Sequence, residues 1–152
     1  MRSKASSEAS DARRAPDTNV LFASASARDE YHERSREIIR EIDHGALPTA
    51  VVTNYVVAET LNITGEKLTP QAANGMLDRL VEGTHFKVEH TPKADFNAAQ
   101  AIFRRYDELS FVDATIAAYM DREDIDYLYS LDDDFDALDD VSRLDTAENP
   151  YR

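Results

Sequence analysis

Strand-like segments alternate with helical segments along most of the chain, and this alternation restricts the fold more than any other sequence feature. Short runs of β-branched, aromatic or alternating apolar residues predict strands at 49–53, 85–90, 127–129 and 141–144. Apolar residues at helical spacing predict helices at 28–42, 55–63, 70–81, 95–105 and 111–120. Parallel strands need a crossover connection, usually a helix, so the pattern predicts an α/β domain with a mainly parallel sheet.

The length and composition fit a single folded domain. The chain has 152 residues, of which 42% are hydrophobic and 31% are charged, whereas disordered chains are poor in apolar residues. It contains no cysteine, which excludes disulfide bonds, thiol nucleophiles and cysteine-ligated zinc. No apolar run reaches the ~20 residues of a spanning helix, and residues 1–15 have no hydrophobic centre for a secretory signal. The sequence therefore predicts a soluble, cytoplasmic protein that does not contact a membrane.

Acidic residues outnumber basic residues throughout the chain. There are 30 Asp and Glu against 17 Lys and Arg, which gives a formal net charge of −13. An acidic protein that mimics nucleic acid or binds a basic partner would favour one contiguous acidic block, but only 132–140 is dense in acids. The dispersed excess resembles the composition of haloarchaeal proteins, which use surface charge in high salt.

Residues 1–16 differ in composition from the rest of the chain. They are rich in Ser, Ala and Arg and show no apolar periodicity, which is typical of a disordered tail. We therefore divide the chain into a disordered or atypical N-terminal segment at 1–16 and a folded domain at 17–152.

Four acids lie next to or within apolar segments, where a charge is costly unless it is paired or binds a metal. They are Asp17, Glu59, Asp113 and Asp132. Asp17 and Asp113 could instead cap helices, and a salt bridge in the core is the main alternative for Glu59. Asp132, with its acidic neighbours, could belong to a solvated loop.

As a set, the four acids favour a metal site. Three of them lie at the ends of predicted elements, which a parallel sheet would gather at its carboxyl edge. Carboxylates that converge in a crevice suit hard divalent cations such as Mg²⁺ or Mn²⁺. A metal held there can convert water into a nucleophile and clamp the oxygens of a phosphodiester.

The segments around these acids resemble the acidic motifs of the PIN-domain family, in the same order along the chain. The resemblance extends from Asp17 to the C-terminus, and the chain is most similar to the small single-domain members that include the VapC-type toxins. The segments that carry it are Asp17-Thr18-Asn19-Val20, Val57-Ala58-Glu59-Thr60, Phe111-Val112-Asp113-Ala114 and Ser130-Leu131-Asp132-Asp133-Asp134-Phe135.

This resemblance implies a three-layer α/β/α sandwich with a mainly parallel central sheet, and a ribonuclease that depends on Mg²⁺ or Mn²⁺. It also implies an RNA substrate, an antitoxin protein as partner and pairing with a second copy of the chain. Asn19 would hold the carboxylate of Asp17 or an attacking water. The catalytic and metal-binding residues that the resemblance implies are Asp17, Glu59, Asp113, Asp132 and, as a partner or substitute for Asp132, Asp134.

The residues before Asp17 depart from the family pattern. In the family the first acid ends a buried hydrophobic strand, but here Arg13, Arg14 and Pro16 precede it. Buried arginines are costly, and proline lacks the N–H that a central strand must donate. Either this segment enters the sheet at a cost in stability, or the first strand is missing. A missing strand leads to an alternative function, namely a degenerate PIN domain that has lost catalysis and serves in protein interaction.

The negative net charge would repel an RNA substrate, because nucleic-acid binders usually present a basic patch. Arg104 and Arg105 come nearest to such a patch, and the arginines of the helix predicted at 28–42 could form another. Pairing with glutamates of the same helix is the alternative role for those arginines. High salt would screen the repulsion, with a Debye length of ~3 Å at 1 M. A third possibility, an acidic binding module unrelated to PIN domains, requires the four acids to lie far apart.

Overall fold

The computed structural model describes residues 13–148, which contain a five-stranded, all-parallel β-sheet. The strands are β1 (Arg13–Pro16), β2 (Thr49–Thr53), β3 (Phe86–Glu89), β4 (Tyr127–Tyr129) and β5 (Ser142–Leu144). Their order in the sheet is β3-β2-β1-β4-β5, so the first strand lies at the centre. The strand order changes direction on either side of β1, and open α/β sheets bind ligands at such a point.

Helices cover both faces of the sheet, which confirms the predicted three-layer α/β/α sandwich. No helix within residues 13–148 is both long and apolar enough to cross a membrane. A short 3₁₀ helix follows β4 at Asp133–Ala137. The α-helices are α1 (Thr18–Ala25), α2 (His32–Asp43), α3 (Asn54–Lys67), α4 (Pro70–Glu82), α5 (Lys93–Arg105) and α6 (Phe111–Glu123).

Local sequence explains where several helices begin. Thr53 ends β2 and caps α3, because its hydroxyl accepts a hydrogen bond from the N–H of Val56 at 3.3 Å. Thr69 caps α4 in the same way, and Pro70 occupies the first turn, where no N–H is needed. The direct passage from β2 into α3 places the N-terminal half of α3 at the carboxyl edge of the sheet.

The hydrophobic core holds this edge in place. Residues 50–52 of β2 are buried on both faces of the sheet, at 0–1% exposed. Ile38, Ile39 and Ile42 form the buried stripe of α2, while the rest of that helix is mostly charged. Close packing of this kind leaves the strand ends little freedom, so side chains that follow them are held in a defined geometry.

Strands β2–β5 and helices α2–α6 lie where the sequence predicts them, with ends that differ by a few residues. Helix α1 was not predicted, because its eight residues contain only two turns and their apolar run also suits a strand. The acidic 3₁₀ helix was not predicted either, since its residues have loop-like composition.

The predicted disorder at 1–16 is wrong for residues 13–16, which form the central strand β1. Residues 1–12 lie outside the described part of the chain. Arg13 is only partly buried and pairs with the carboxylate of Glu123 at 3.0 Å. Its guanidinium also donates to the carbonyl of Glu123 at 2.9 Å, so this charge lies at the end of the sheet rather than in the core.

Arg14 enters the core because polar and aromatic groups surround its guanidinium. The residue is 0% exposed. Its Nη1 donates to the hydroxyl of Tyr129 at 2.6 Å and to the carbonyl of Glu148 at 2.9 Å. The guanidinium also lies 5.6 Å and 5.4 Å from the ring centroids of Tyr127 and Tyr129. Hydrogen bonds and cation–π contacts offset part of the desolvation cost that made the sequence unfavourable for a strand.

Pro16 fits the central strand because of where it lies in the pairing. Pairing of β1 with β2 ends at Arg14, whereas pairing with β4 continues through Pro16 and Tyr129. The next N–H, that of Asp17, donates to the carbonyl of Tyr129 on the β4 side at 2.8 Å. Because N–H groups alternate sides along a strand, the missing N–H of Pro16 would point toward β2, beyond the end of its pairing.

Candidate metal and active site

A cleft of about 880 Å³ opens at the carboxyl edge of the sheet, beyond the ends of β1 and β4. All four acids that the sequence analysis selected line this one cleft. The third possibility, an unrelated acidic module with dispersed acids, does not agree with this placement. The neighbouring Asp133 also lines the cleft, as do Asp29 and Asp145.

Asp17 is the most buried of these acids, with 5% of its surface exposed. Its carboxylate caps α1 by accepting from the N–H of Thr18 at 2.7 Å, and its other oxygen accepts from the hydroxyl of Ser130 at 3.1 Å. Burial, followed by repulsion from Asp113, raises the pKa of Asp17 to about 7, although the two hydrogen bonds oppose this shift. The capping alternative is therefore correct for Asp17, and the same group also lies among other negative charges.

Ser130 links the two central strand ends. Its hydroxyl donates to Asp17 and accepts from the side-chain amide of Asn19 at 3.2 Å and from the N–H of Asp132 at 3.2 Å. The Asn19 carbonyl oxygen accepts from the N–H of Leu131 at 3.2 Å. Asn19 therefore supports Asp17 through Ser130 rather than by a direct hydrogen bond. Ser130 had no role in the sequence-based prediction, where its only signal was a position two residues before Asp132.

Glu59 projects from the second turn of α3 and is half-buried. No basic side chain within residues 13–148 forms an ion pair with it, so a salt bridge in the core does not explain this acid. Its charge raises the pKa of both Asp17 and Asp113. The three carboxylates therefore lie within electrostatic range of one another.

Asp113 lies in the first turn of α6 and forms a capping box with Ser110. The N–H of Ser110 donates to one carboxylate oxygen of Asp113 at 3.1 Å, and the N–H of Asp113 donates to the Ser110 hydroxyl at 3.1 Å. Burial raises the pKa of Asp113 more than any other cause, with further increases from Glu59 and Asp134. Asp113 thus combines the capping role with a place in the cleft.

Asp132 and Asp134 differ in their relation to the cleft. Asp132 lines it and caps the 3₁₀ helix by accepting from the N–H of Asp134 at 3.0 Å. Asp134 is not among the residues that line the cleft, but a carboxylate oxygen from each of Asp132, Asp133 and Asp134 lies within 4.8 Å of the others. Burial and the charge of Asp132 raise the pKa of Asp134. The structure therefore places Asp134 beside the cluster rather than inside it.

Basic side chains lie at the rim of the cleft. Arg34, Lys67 and Arg143 contribute to its lining. Arg34 pairs with Asp145 at 3.6 Å, rather than with a glutamate of its own helix as the alternative role required. Arg143 binds both carboxylate oxygens of Asp136, at 3.0 Å and 3.1 Å. Both arginines are thus paired with acids, whereas Lys67 forms no ion pair within the described residues.

The donor set fits a hard divalent cation. Within the described residues, no Lys or Arg forms an ion pair with Asp17, Glu59, Asp113 or Asp132. Asp17 is buried beside two other acids, and its raised pKa reflects the cost of holding that charge without a counter-ion. Oxygen-only ligands with a high negative charge suit Mg²⁺ or Mn²⁺ rather than softer metals.

An all-parallel β3-β2-β1-β4-β5 sheet with carboxylates gathered beyond β1 and β4 places this molecule among the PIN-like α/β/α domains. The family model of the PIN domain matches residues 15–141. The chain belongs to the PIN-domain family, which confirms the resemblance seen in the sequence motifs.

Solved structures with the same fold include several toxins. VapC20 of Mycobacterium tuberculosis, described as a toxin that cleaves the sarcin-ricin loop, has 27% identity and a TM-score of 0.73, covering 84% of this chain and 96% of its own. A toxin–antitoxin complex from Klebsiella pneumoniae has 17% identity and a TM-score of 0.62, with 85% and 95% covered. VapBC2 of Rickettsia felis, bound to a DNA fragment from its promoter, has 11% identity and a TM-score of 0.64, with 87% and 97% covered. No curated protein sequence matches the chain.

Proposed function

We propose that this protein is a divalent-metal-dependent endoribonuclease that resembles the VapC-type toxins. The observation that carries the proposal is the convergence of four carboxylates, one of them almost fully buried, in a single cleft of a PIN domain. Membership of the PIN-domain family and the likeness to VapC20, described as a toxin that cleaves the sarcin-ricin loop, support RNA as the substrate. RNA processing outside a toxin system would use the same chemistry.

The metal-binding residues that we propose are Asp17, Glu59, Asp113 and Asp132, with Asp134 as an adjacent carboxylate. A bound Mg²⁺ or Mn²⁺ would supply a water of lowered pKa and stabilise the charge that develops on the phosphodiester. The protein supplies the position of the donors. Asp17 directly follows strand β1, and Glu59 and Asp113 lie on helices α3 and α6.

Hydrogen bonds around Ser130 give the site its rigidity. The Ser130 hydroxyl donates to Asp17, so this carboxylate keeps its orientation when it is ionised. Asn19 orients Ser130 and the backbone at Leu131. Each Asn19 side-chain atom has further hydrogen-bonding capacity, since an amide has two N–H donors and two acceptor lone pairs. We therefore assign Asn19 a positioning role toward Asp17 and toward a water in the cleft.

The degenerate, inactive PIN domain is the weaker alternative. The sequence favoured this alternative only because a usable first strand was not evident. In the structure, Arg13–Pro16 form β1, and Asp17 lies in the same cleft as Asp113 and Glu59. All four acids are present and none is neutralised by a direct ion pair within the described residues. These observations favour a working metal site over a fold retained only for protein interaction.

We further propose that an antitoxin protein binds this chain and that the chain forms homodimers in the cytoplasm. Structures of the same fold include VapBC complexes, some of them bound to DNA. An antitoxin that covers the cleft would protect the cell's RNA from cleavage. Co-expression with a neighbouring small reading frame and co-purification of the two products would test the partnership.

An RNA-cleavage assay tests the proposed function. The purified protein should cleave single-stranded RNA with Mn²⁺ or Mg²⁺ and should lose this activity with a chelator. Glu59→Gln should lower the rate by orders of magnitude, because it removes a proposed ligand while keeping the side-chain volume. Asp78→Asn is the matched control, since Asp78 is an exposed acid on α4 outside the cleft. Equal activity of the wild type with metal and with chelator would contradict the proposal.

A further inference from the structure

The cleft extends well beyond its acids, along one face of two neighbouring helices. On α3, residues four positions apart line it in the order Glu59, Ile63 and Lys67, which is an acid, an apolar side chain and a cation. Residues at this spacing share one face of a helix, about 6 Å apart along the axis. On α1, which packs against α3, the lining passes from Asn19 to Phe22 in the same manner. The chemistry therefore changes from acidic to apolar to basic with distance from the sheet.

The apolar part of this gradient contains two aromatic rings. Phe22 and Tyr31 are both half-buried and line the cleft together with Ile63. The position of Tyr31 is fixed, because its N–H donates to Asp29 at 2.9 Å and the next residue begins α2. The guanidinium of Arg34 lies 5.4 Å from the centroid of the Tyr31 ring. Two aromatic side chains, one of them beside a cation, thus line the cleft outside the proposed metal-binding group.

The basic end is available to an anion. Lys67 is exposed and forms no ion pair within residues 13–148. Within the described residues, Arg34 pairs with Asp145 at 3.6 Å, and Asp145 also lies 3.9 Å from Arg143, so this part of the lining is largely neutralised. In a chain of net charge −13, the unpaired Lys67 at the end of this α3 face provides a local attraction for a phosphate.

We propose that the outer part of the cleft is a nucleotide subsite, in which an unpaired RNA base stacks against Phe22, Tyr31 and Ile63. The phosphate on the far side of that nucleotide lies at Lys67, while the phosphate to be cleaved lies at the acids. This inference rests on the proposed function and adds the residues that would hold one unpaired nucleotide of the RNA. Aromatic side chains bind such bases in single strands and loops, whereas a regular duplex keeps its bases stacked.

The order of groups along the cleft favours a nucleotide over a peptide as occupant. A nucleotide has a flat apolar base between two phosphates, and the cleft presents apolar side chains between a proposed metal site and the cation of Lys67. A volume of about 880 Å³ is large enough for a nucleotide in addition to a metal ion.

Binding of an uncleavable RNA analogue tests the subsite independently of catalysis. The probe is a short, fluorescently labelled single strand with methylene groups in place of the bridging phosphate oxygens, measured by anisotropy with Mn²⁺ present. A second probe lacks the base at one position, and a series of such probes scans the strand. Removal of one base should weaken binding by about 5- to 150-fold at the position that occupies the subsite. The other positions should show much smaller losses.

Two matched pairs of variants assign the effect to residues. Phe22→Leu keeps an apolar side chain and removes the ring, so the penalty for the missing base should shrink, whereas Phe103→Leu, at an exposed ring outside the cleft, should leave it unchanged. Lys67→Gln should lower the slope of log affinity against log salt by about 0.7, as expected for one lost phosphate contact with a single strand. Lys93→Gln, at the start of α5, should not change the slope.

The outcomes separate this inference from the proposed function. Base-dependent binding that Phe22→Leu abolishes supports the subsite, even if native RNA is not cleaved and the nuclease proposal fails. Cleavage of native RNA at the same rate with and without each base would overturn the subsite and leave the nuclease proposal standing. Equal effects of Phe22→Leu and Phe103→Leu would also overturn it. Binding of the cleft to a protein partner, with no affinity for the RNA analogue, would do the same.

Discussion

Asp17 shows how one side chain combines a structural and a chemical role. It follows a strand, caps a helix and accepts a hydrogen bond from Ser130, yet it lies among like charges. This acid could be selected from the sequence alone, because an Asp followed by small polar residues forms a recognisable motif. Its burial could not be predicted, since it depends on Ser130, which lies 113 residues away along the chain.

The stability of the metal-free protein should fall as pH rises from about 5 to about 7. The pKa of Asp17 is about 7 in the folded protein, against 3.8 for an ordinary Asp, so the folded state binds more protons in this range. Loss of that proton should lower the free energy of unfolding by roughly 2 kcal/mol over the interval. The pKa values of Glu123 and Asp136 are lowered by arginines, so their contributions change below this range.

Urea unfolding at several pH values, without divalent metal, measures this dependence. Asp17→Asn removes this group and should reduce the slope between the same limits, leaving the contribution of Asp113, whose pKa is also raised. A wild-type stability that rises with pH, or a variant with the same slope as the wild type, would contradict the assignment.

Asp113→Asn should stabilise the metal-free protein and reduce its response to Mn²⁺. The substitution removes one of several repelling charges, and the amide oxygen can still accept the N–H of Ser110 in the capping box. Thermal unfolding with and without Mn²⁺ measures both effects.

Ser110→Ala is the control that separates the two roles of Asp113. It should destabilise the helix by about 1 kcal/mol, because it removes the cap, and leave the Mn²⁺ response intact. If Asp113→Asn retained the full shift with Mn²⁺, Asp113 would be a cap and not a ligand.

The central strand β1 is the strand that the sequence analysis did not predict. Apolar patterning predicted the other four strands, since each has β-branched, aromatic or alternating residues. Arg14 does not fit the apolar pattern of a buried strand. Its guanidinium can be buried because it contacts Tyr127 and Tyr129, which come more than a hundred residues later in the chain. Propensity describes local preference, and here tertiary contacts override it.

A double-mutant cycle on Arg14 and Tyr129 should show strong coupling. Tyr129→Phe leaves a buried guanidinium with one partner fewer and should cost about 1–3 kcal/mol. Arg14→Met keeps an extended side chain and removes the buried charge, but leaves the Tyr129 hydroxyl without its 2.6 Å donor. The double variant removes both groups, so its cost should be well below the sum of the two single costs. Additive costs in urea unfolding would indicate that this hydrogen bond does not secure β1.

The molecule as a whole could be predicted in outline because its order of elements is informative. Helices between strands imply parallel pairing, and the four acidic motifs imply a shared edge. The strand order β3-β2-β1-β4-β5 does not follow from periodicity, which carries no information on which strands are neighbours. The Ser130 network and the meeting of Phe22 and Tyr31 with Ile63 in one cleft could not be predicted for the same reason, since both depend on segments that are distant along the chain.

The fold should become more stable as salt increases from dilute buffer to molar KCl. Net charge is −13, and dispersed like charges destabilise a compact state through repulsion that salt screens. The melting temperature, followed by circular dichroism over this range, should rise. A melting temperature that stays flat or falls would contradict the interpretation of the composition as halophilic.

The central claim is that four carboxylates from separate elements form one metal site at the carboxyl edge of the sheet. Diffraction from crystals soaked in MnCl₂, recorded at the manganese absorption edge, locates the metal directly. We predict an anomalous difference peak in the cleft, in contact with carboxylate oxygens of Asp17, Glu59, Asp113 and Asp132. A cleft without a peak, or manganese bound only at the surface among Asp132, Asp133 and Asp134, would contradict the claim.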